Sequence, residues 1–412
     1  MKKYRFEYFA SCPVGIEELL SEEILDLGAK STKVVRGGVQ FEAYHEIALK
    51  TILYSRLASR IFKYLYAFEV INEKDYYQEA TQIKWTGLMD VDQTFRLTTI
   101  FGDLPREREE FRNSQFANLK LKDAIVDWFR HHDGNRPSVA RDNPDVAFLA
   151  RIDRGQDKPY LVTLMYDLCG DPLNQRLYRV AKTEAPLKEN LAAAILKLVH
   201  WNPKEENLLD AMCGSGTFLI EGALMAGEIP PSYLRVERYL KNSNLKMWTF
   251  LNYPWFKKDE HLLTNFKSLL AEVHERTQKG LTFLRSHQGL IHGNDLSEMA
   301  LLSANENLKK AQLEGVIELT QNDAREVYPS NRKTLFLCNP PYGERLESGE
   351  EEKLKALYKG LGDHWKQTFK GHRAVLFTGN LSMLKVVGLR TSKKHILHNG
   401  DIEGRVAEYA LY

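Results

Sequence analysis

Two short stretches of this 412-residue sequence combine residue types that together suit group transfer. The first is Leu335-Phe336-Leu337-Cys338-Asn339-Pro340-Pro341-Tyr342, an apolar run that stops in Asn-Pro-Pro-Tyr. Two consecutive prolines remove two N–H donors and stiffen the turn, so the carbonyls of Asn339 and Pro340 stay fixed. The Asn339 side-chain oxygen beside a backbone carbonyl gives two acceptors, matching the two hydrogens of a planar amino group. Accepting those hydrogens orients the nitrogen lone pair and stabilises the positive charge that develops on it in an in-line transfer. Tyr342 supplies a flat face for stacking a base, worth about 1–3 kcal/mol per base. A plain strand-ending proline turn accounts for Pro340 and Pro341 but not for Asn339 and Tyr342 on either side.

The second stretch is Leu208-Leu209-Asp210-Ala211-Met212-Cys213-Gly214-Ser215-Gly216-Thr217, a strand running into an acid, a glycine turn and a helix. Glycines let backbone approach a ligand closely, and a helix start supplies free N–H groups. A dinucleotide site wants a small residue three positions after the second glycine, and Leu219 stands there; no G-x-x-x-x-G-K-[ST] phosphate loop is present. A leading carboxylate repels phosphate and suits ammonium and sulfonium groups, so Asp210 points to S-adenosylmethionine. Asp295, ending the next strand candidate, is placed to accept both hydrogens of a ribose diol, each such bond worth roughly 1.5–3 kcal/mol. Asp323, ending the one after, is placed to accept from an adenine amino group. Taken singly these acids are more often helix caps or turn residues. Three of them at successive strand ends mark a ligand mouth, because ligands of open α/β sheets bind beyond the carboxyl ends of strands. With the methyl group activated by its sulfonium, catalysis is mostly positioning, and no metal is needed.

These sites need a scaffold. From Leu187 onward, helix, short strand and turn alternate, with strand candidates at Asn207–Leu209, Leu290–His292, Ile317–Thr320, Leu335–Leu337 and Ala374–Thr378. That alternation predicts an α/β doubly wound, largely parallel sheet. The front half mixes shorter elements: strands at Tyr4–Ala10, Val39–Glu42, Thr94–Thr99, Ala147–Ile152 and Tyr160–Tyr166, and helices at Gly15–Leu27 and Leu121–Arg130. Formal net charge is +2, so bulk charge gives almost no support for nucleic-acid binding. The four cysteines, Cys12, Cys169, Cys213 and Cys338, are scattered, which fits neither a zinc site nor a disulfide framework. No leader-like or membrane-spanning apolar run stands out, so a cytoplasmic protein is expected.

Asn339–Tyr342 with Asp210–Thr217 resembles the amino-methyltransferase signature of class I S-adenosylmethionine enzymes. The wider set adds Ala185–Ala193, the tract Asn339–Leu346, Leu357-Tyr358 with Leu361-Gly362, and Asn399–Glu403. It resembles the THUMP-containing RNA guanine-N2 methyltransferases of the RlmL type, which act on 23S ribosomal RNA. Lys122–Asp127 and Arg136–Val139 match the end of that family's THUMP region. The resemblance implies a ferredoxin-like region over 1–65, an RNA-docking THUMP module over 66–168, a linker over 169–184 and a Rossmann-like methyltransferase domain over 185–412 whose last strands include an antiparallel one. The family's commoner proline before Met-Cys-Gly is Ala211 here. Some relatives carry a second methyltransferase domain, and with the chain ending at Tyr412 a second activity is not expected.

Among the remaining residues, Glu189 either borders the methionine end of the donor or favours its helix dipole. Arg176 and Arg179 in the linker are candidates to contact phosphate, as are Lys120, Lys122, Arg130, Arg136 and Arg141, although acids are interspersed among the latter. Trp248, Tyr253, Trp255 and Phe256 read as core more readily than as an RNA platform. Two competing functions remain: an adenine-N6 methyltransferase acting on DNA or RNA, and a non-catalytic RNA-binding factor that keeps the fold.

Overall fold

The computed structural model describes residues 4–102, 104, 111, 113–180, 187–342, 350–400 and 402–412. The expectations resting on Ala185, Pro186, Gly343–Leu346 and Asp401 lie outside them.

The front half is one seven-stranded sheet, built from β1 (Phe6–Ser11), β2 (Ser31–Val35), β3 (Gly38–Ala43), β4 (Arg60–Val70), β5 (Phe95–Phe101), β6 (Val146–Arg154) and β7 (Tyr160–Asp167) in the order β2-β3-β1-β4-β7-β6-β5. Neighbours are antiparallel except β5 and β6. β4 joins the two α+β units: Arg60–Lys63 pairs with β1, and Phe62–Val70 pairs with β7. The register slips between Tyr64 and Tyr66, so the expected boundary at 65/66 falls inside a strand, at a bulge. Helices Glu17–Asp26, His45–Tyr54, Glu73–Thr81 and Ser114–Asp133 pack against this sheet. Gly134 ends the last of them at φ +72, a left-handed cap that favours glycine.

The back half is a second seven-stranded sheet: β8 (Asn207–Asp210), β9 (Ile291–Asn294), β10 (Glu318–Thr320), β11 (Thr334–Cys338), β12 (Arg373–Thr378), β13 (Lys393–Asn399) and β14 (Ile402–Ala410), in the order β10-β9-β8-β11-β12-β14-β13. Only β14 runs against its neighbours. β8 and β11 are buried along their whole length, as parallel strands covered on both faces must be. The expected α/β Rossmann-like sheet, with its antiparallel strand, is therefore present, preceded by the α+β layer.

The two halves share apolar core and polar ties. Arg56 donates to the carbonyls of Leu224 and Ile229 at 3.0 and 2.7 Å, and Asn190 donates to the Leu57 carbonyl at 3.0 Å. Trp248, Tyr253 and Phe256 are fully buried, as core residues. Tyr253 stacks on Tyr166 with centroids 4.1 Å apart, and the partly exposed Trp255 stacks on His45 at 4.3 Å.

Candidate active site

The sheet order places the two signature stretches side by side. From β8 the chain winds outward through β9 and β10, then returns to add β11 on the other side of β8. The carboxyl ends of β8 and β11 thus diverge at the switch point, where a crevice opens. Leu337 of β11 is the register partner of Asp210, so Asn339 leaves its strand two residues beyond the level of that acid.

Asp210 is 1% exposed, and neither of its carboxylate oxygens has a hydrogen-bond partner among the described residues. Burial pushes its carboxyl up to about 8; Asp295 adds to the rise and the nearby Met212 amide opposes it. An unpaired buried carboxylate is expensive unless a cation or donor meets it, which fits a ligand bearing ammonium or sulfonium. The turn that follows has the expected shape: Gly214 and Gly216 sit at φ +53 and +81, Gly216 opens the helix Thr217–Ala226, and a Cβ on Gly214 would meet nothing within 4 Å. Met212 is half-buried and Cys213 buried. Burial pushes the Cys213 and Cys338 thiols far up, so neither is an available nucleophile.

Asp295 props this turn, accepting from Gly214 N–H and Ser297 N–H, each at 2.9 Å. Each oxygen keeps a second lone pair for a diol. Asp323 is engaged by Arg325, whose Nε lies 2.8 Å from Oδ1 and whose Nη2 meets Oδ2. That guanidinium holds the Asp323 carboxyl below its usual value, so any amino group it receives shares it with Arg325. The Asn339–Tyr342 turn is closed by a hydrogen bond of its own. Tyr342 Oη donates to Asn339 Oδ1 at 2.8 Å, and its ring packs edge-on to Phe377 at 6.2 Å. Pro340 is buried and Pro341 exposed. Asn380 Nδ2 donates to the Tyr342 carbonyl at 2.9 Å.

Three residues to which sequence reasoning gave no bracing role hold the site together. Asn294 is fully buried; its Nδ2 donates to the carbonyls of Ala211 and Asn322 at 3.0 and 2.9 Å, and its Oδ1 accepts from Asn322 N–H at 3.1 Å. It ties all three acid-bearing turns together. Asn307 donates to the Ser215 carbonyl at 2.9 Å. Arg179 donates to Glu189 at 3.0 Å, to Ser215 Oγ at 3.2 Å and to Thr217 Oγ1 at 3.1 Å. The only clue to Asn294 was its place directly before a strand-end acid. Arg179 and Arg176 correct the linker expectation. Arg176 is 4% exposed and paired with Glu221 at 3.5 Å, so both guanidiniums are committed inside the protein rather than held out to phosphate. Lys122 and Arg130 likewise pair with Asp123 and Asp127.

Residues 176–408 match the family described as RMKL-like, methyltransferase domain, which covers more than half of the chain. The chain belongs to the RlmL-like, THUMP-containing methyltransferases. Residues 7–62 match the RlmL ferredoxin-like domain and residues 71–156 the THUMP domain, consistent with this family's order of parts. A Cellvibrio japonicus protein named ribosomal RNA large subunit methyltransferase K/L is 36% identical over 98% of the chain and 51% of its own length. The RlmL-like chain thus spans about half the length of the curated relatives it matches. Among solved structures, SMU.472 complexed with SAH (S-adenosylhomocysteine) is 25% identical with a TM-score of 0.78, covering 100% of this chain and 99% of that one. TrmN from Thermus thermophilus shares the fold at a TM-score of 0.65 and 19% identity, covering 99% and 100%. Among the described residues no group of three His, Cys, Asp or Glu side chains is placed to hold a metal ion, and no helix is long and apolar enough to cross a membrane.

Proposed function

We propose that this chain transfers a methyl group from S-adenosylmethionine to the exocyclic N2 amino group of a guanine in 23S ribosomal RNA, in the cytoplasm. The observation that carries the reading is a buried carboxylate, Asp210, that no cation or side-chain donor among the described residues meets, set beside the strand that delivers Asn339. S-adenosylmethionine supplies the activated methyl group; SAH in the related SMU.472 structure supports that donor. Asp210 meets the positive end of the donor, Asp295 its ribose diol, Asp323 its adenine amino group, and the turn Met212–Thr217 its backbone. Asn339 Oδ1 and the Pro340 carbonyl accept the two hydrogens of the base amino group, which aims its lone pair. Tyr342 yields the Asn339 oxygen and offers its ring to the base. The methylated nitrogen is acidic and gives its proton to water, so no general base is assigned. RNA, and ribosomal RNA in particular, rests on the THUMP match and on the names of the curated relatives; guanine N2 rests on the family resemblance. In this reading 1–65 and 66–168 present the RNA, 169–184 links, and 185–412 carries the chemistry.

The assignment of Asn339 is tested by Asn339→Ala. Methyl incorporation is expected to vanish while calorimetric SAH affinity stays within about twofold, since only the acceptor side is altered. Collapse of SAH affinity would mean that Asn339 serves the donor instead.

A further inference from the structure

A cleft of about 410 Å³ opens beside the Asn339–Tyr342 turn, lined by Lys385, Arg390, Lys394 and Arg405 together with apolar and neutral residues, and by no carboxylate among the described residues. The sequence around it is one-sided in charge. Residues 371–400 hold five of the chain's lysines and arginines and no aspartate or glutamate, in a protein whose overall charge is nearly balanced.

The fold explains how these cations converge. Leu384, Val387 and the partly buried Leu389 pack with Ala407 and Tyr409, pinning the segment after β12 to one face of the β13–β14 hairpin. On that hairpin Lys394 is the partner of Ala407 and Ile396 the partner of Arg405, so Lys394 and Arg405 lie diagonally on the same face. Lys385, Arg390 and Lys394 are exposed. Arg405 is 19% exposed and, among the described residues, is ion-paired with Glu403 at 2.9 Å. Lys366, paired with Asp363 at 3.0 Å, adds a fifth cation near Gly388.

Two links tie the cleft to the Asn339–Tyr342 turn. Asn380, which donates to the Tyr342 carbonyl, directly precedes Leu381 on the cleft wall. Arg405 is the register partner of Thr378, whose hydroxyl accepts from Asn380 N–H at 3.0 Å. Four cations, with no carboxylate among the described lining residues, create a positive potential that attracts an anionic ligand, and the volume accommodates a phosphodiester with part of a flanking ribose. We propose that this cleft is a phosphate-binding site that grips the sugar–phosphate backbone of the RNA strand next to the nucleotide being methylated. The inference rests on the methyl-transfer reading above and adds to it where the RNA backbone runs.

The test is the triple variant Lys385→Gln, Arg390→Gln, Lys394→Gln in the full chain, with Lys385→Arg, Lys394→Arg as the charge-preserving control. Binding of a fluorescein-labelled single-stranded fragment of 23S rRNA is followed by anisotropy from 50 to 300 mM KCl, alongside methylation kinetics and SAH titration. Neutralising three phosphate contacts is expected to flatten the slope of log K against log salt by about 2. KM for RNA should rise at least tenfold while kcat and SAH affinity stay unchanged, and the control should behave as the parent. An unchanged slope and KM in a parent that binds and methylates RNA would overturn the cleft alone. A parent that methylates only DNA, or binds no RNA, would overturn this proposal and the functional reading together.

Discussion

The Tyr342 hydroxyl donates to Asn339 Oδ1, the oxygen that the base amino group has to reach in the proposed reaction. A hydrogen bond of this kind contributes about 0.5–1.5 kcal/mol net, so the base must displace it before Asn339 can act. Tyr342→Phe should therefore leave kcat/KM for RNA unchanged or raise it severalfold. Tyr342→Ala should lower it about tenfold or more, through lost stacking. Equal damage by both, in methyl-incorporation kinetics, would instead give the hydroxyl a direct part in transfer. Asp210 sets a pH dependence. With its carboxyl raised to about 8 by burial, the stability it contributes is full below its unfolded value and is lost as pH rises through about 8. A cationic donor favours the ionised form, so binding expels a proton below pH 8. SAH, which keeps the ammonium, should bind up to tenfold tighter per pH unit between pH 6 and 8 and level off above. Calorimetry in buffers of different ionisation enthalpy checks the proton release, and Asp210→Asn should abolish both the release and the pH slope.

Elements decide whether those residues meet. Gly216 begins its helix at φ +81, and a Cβ there would stand 3.4 Å from Ala304. Gly216→Ala should destabilise the protein by about 1–2 kcal/mol, seen in urea unfolding, and weaken SAH binding as well. Turns of this kind were legible in the sequence because glycine and proline carry backbone meaning: Asp210–Thr217 and Asn339–Tyr342 sit at the strand ends where their residue types placed them. β2 and β4 were not read. β2 is an edge strand with mostly exposed residues, and the alternation of β4 is broken by its bulge. β13 and β14 entered only through family resemblance. The bracing by Asn294, Asn307 and Arg179 was illegible for a different reason: each joins segments far apart in the chain, and nothing local distinguishes a buried linker arginine from a solvated one.

Across the whole molecule, the two sheets are joined through buried charge. Glu221 is fully buried, pairs with Arg176, and accepts from Tyr178 Oη at 3.1 Å; Arg56 lies near enough to oppose the effect of burial on its carboxyl. Glu221→Ala leaves the Arg176 guanidinium without its carboxylate in the interior and should destabilise the protein by about 3–5 kcal/mol, measured by chemical denaturation. A loss under 1 kcal/mol would show that this buried ion pair does not hold the halves together. The most direct measurement on the proposed activity is nucleoside mass spectrometry of 23S rRNA, 16S rRNA and DNA, each incubated separately with the protein and isotopically labelled S-adenosylmethionine. Labelled N2-methylguanosine from 23S rRNA, absent with Asn339→Ala, is the expected result. Labelled N6-methyladenine without N2-methylguanosine, or no labelled nucleoside from any substrate, would contradict it.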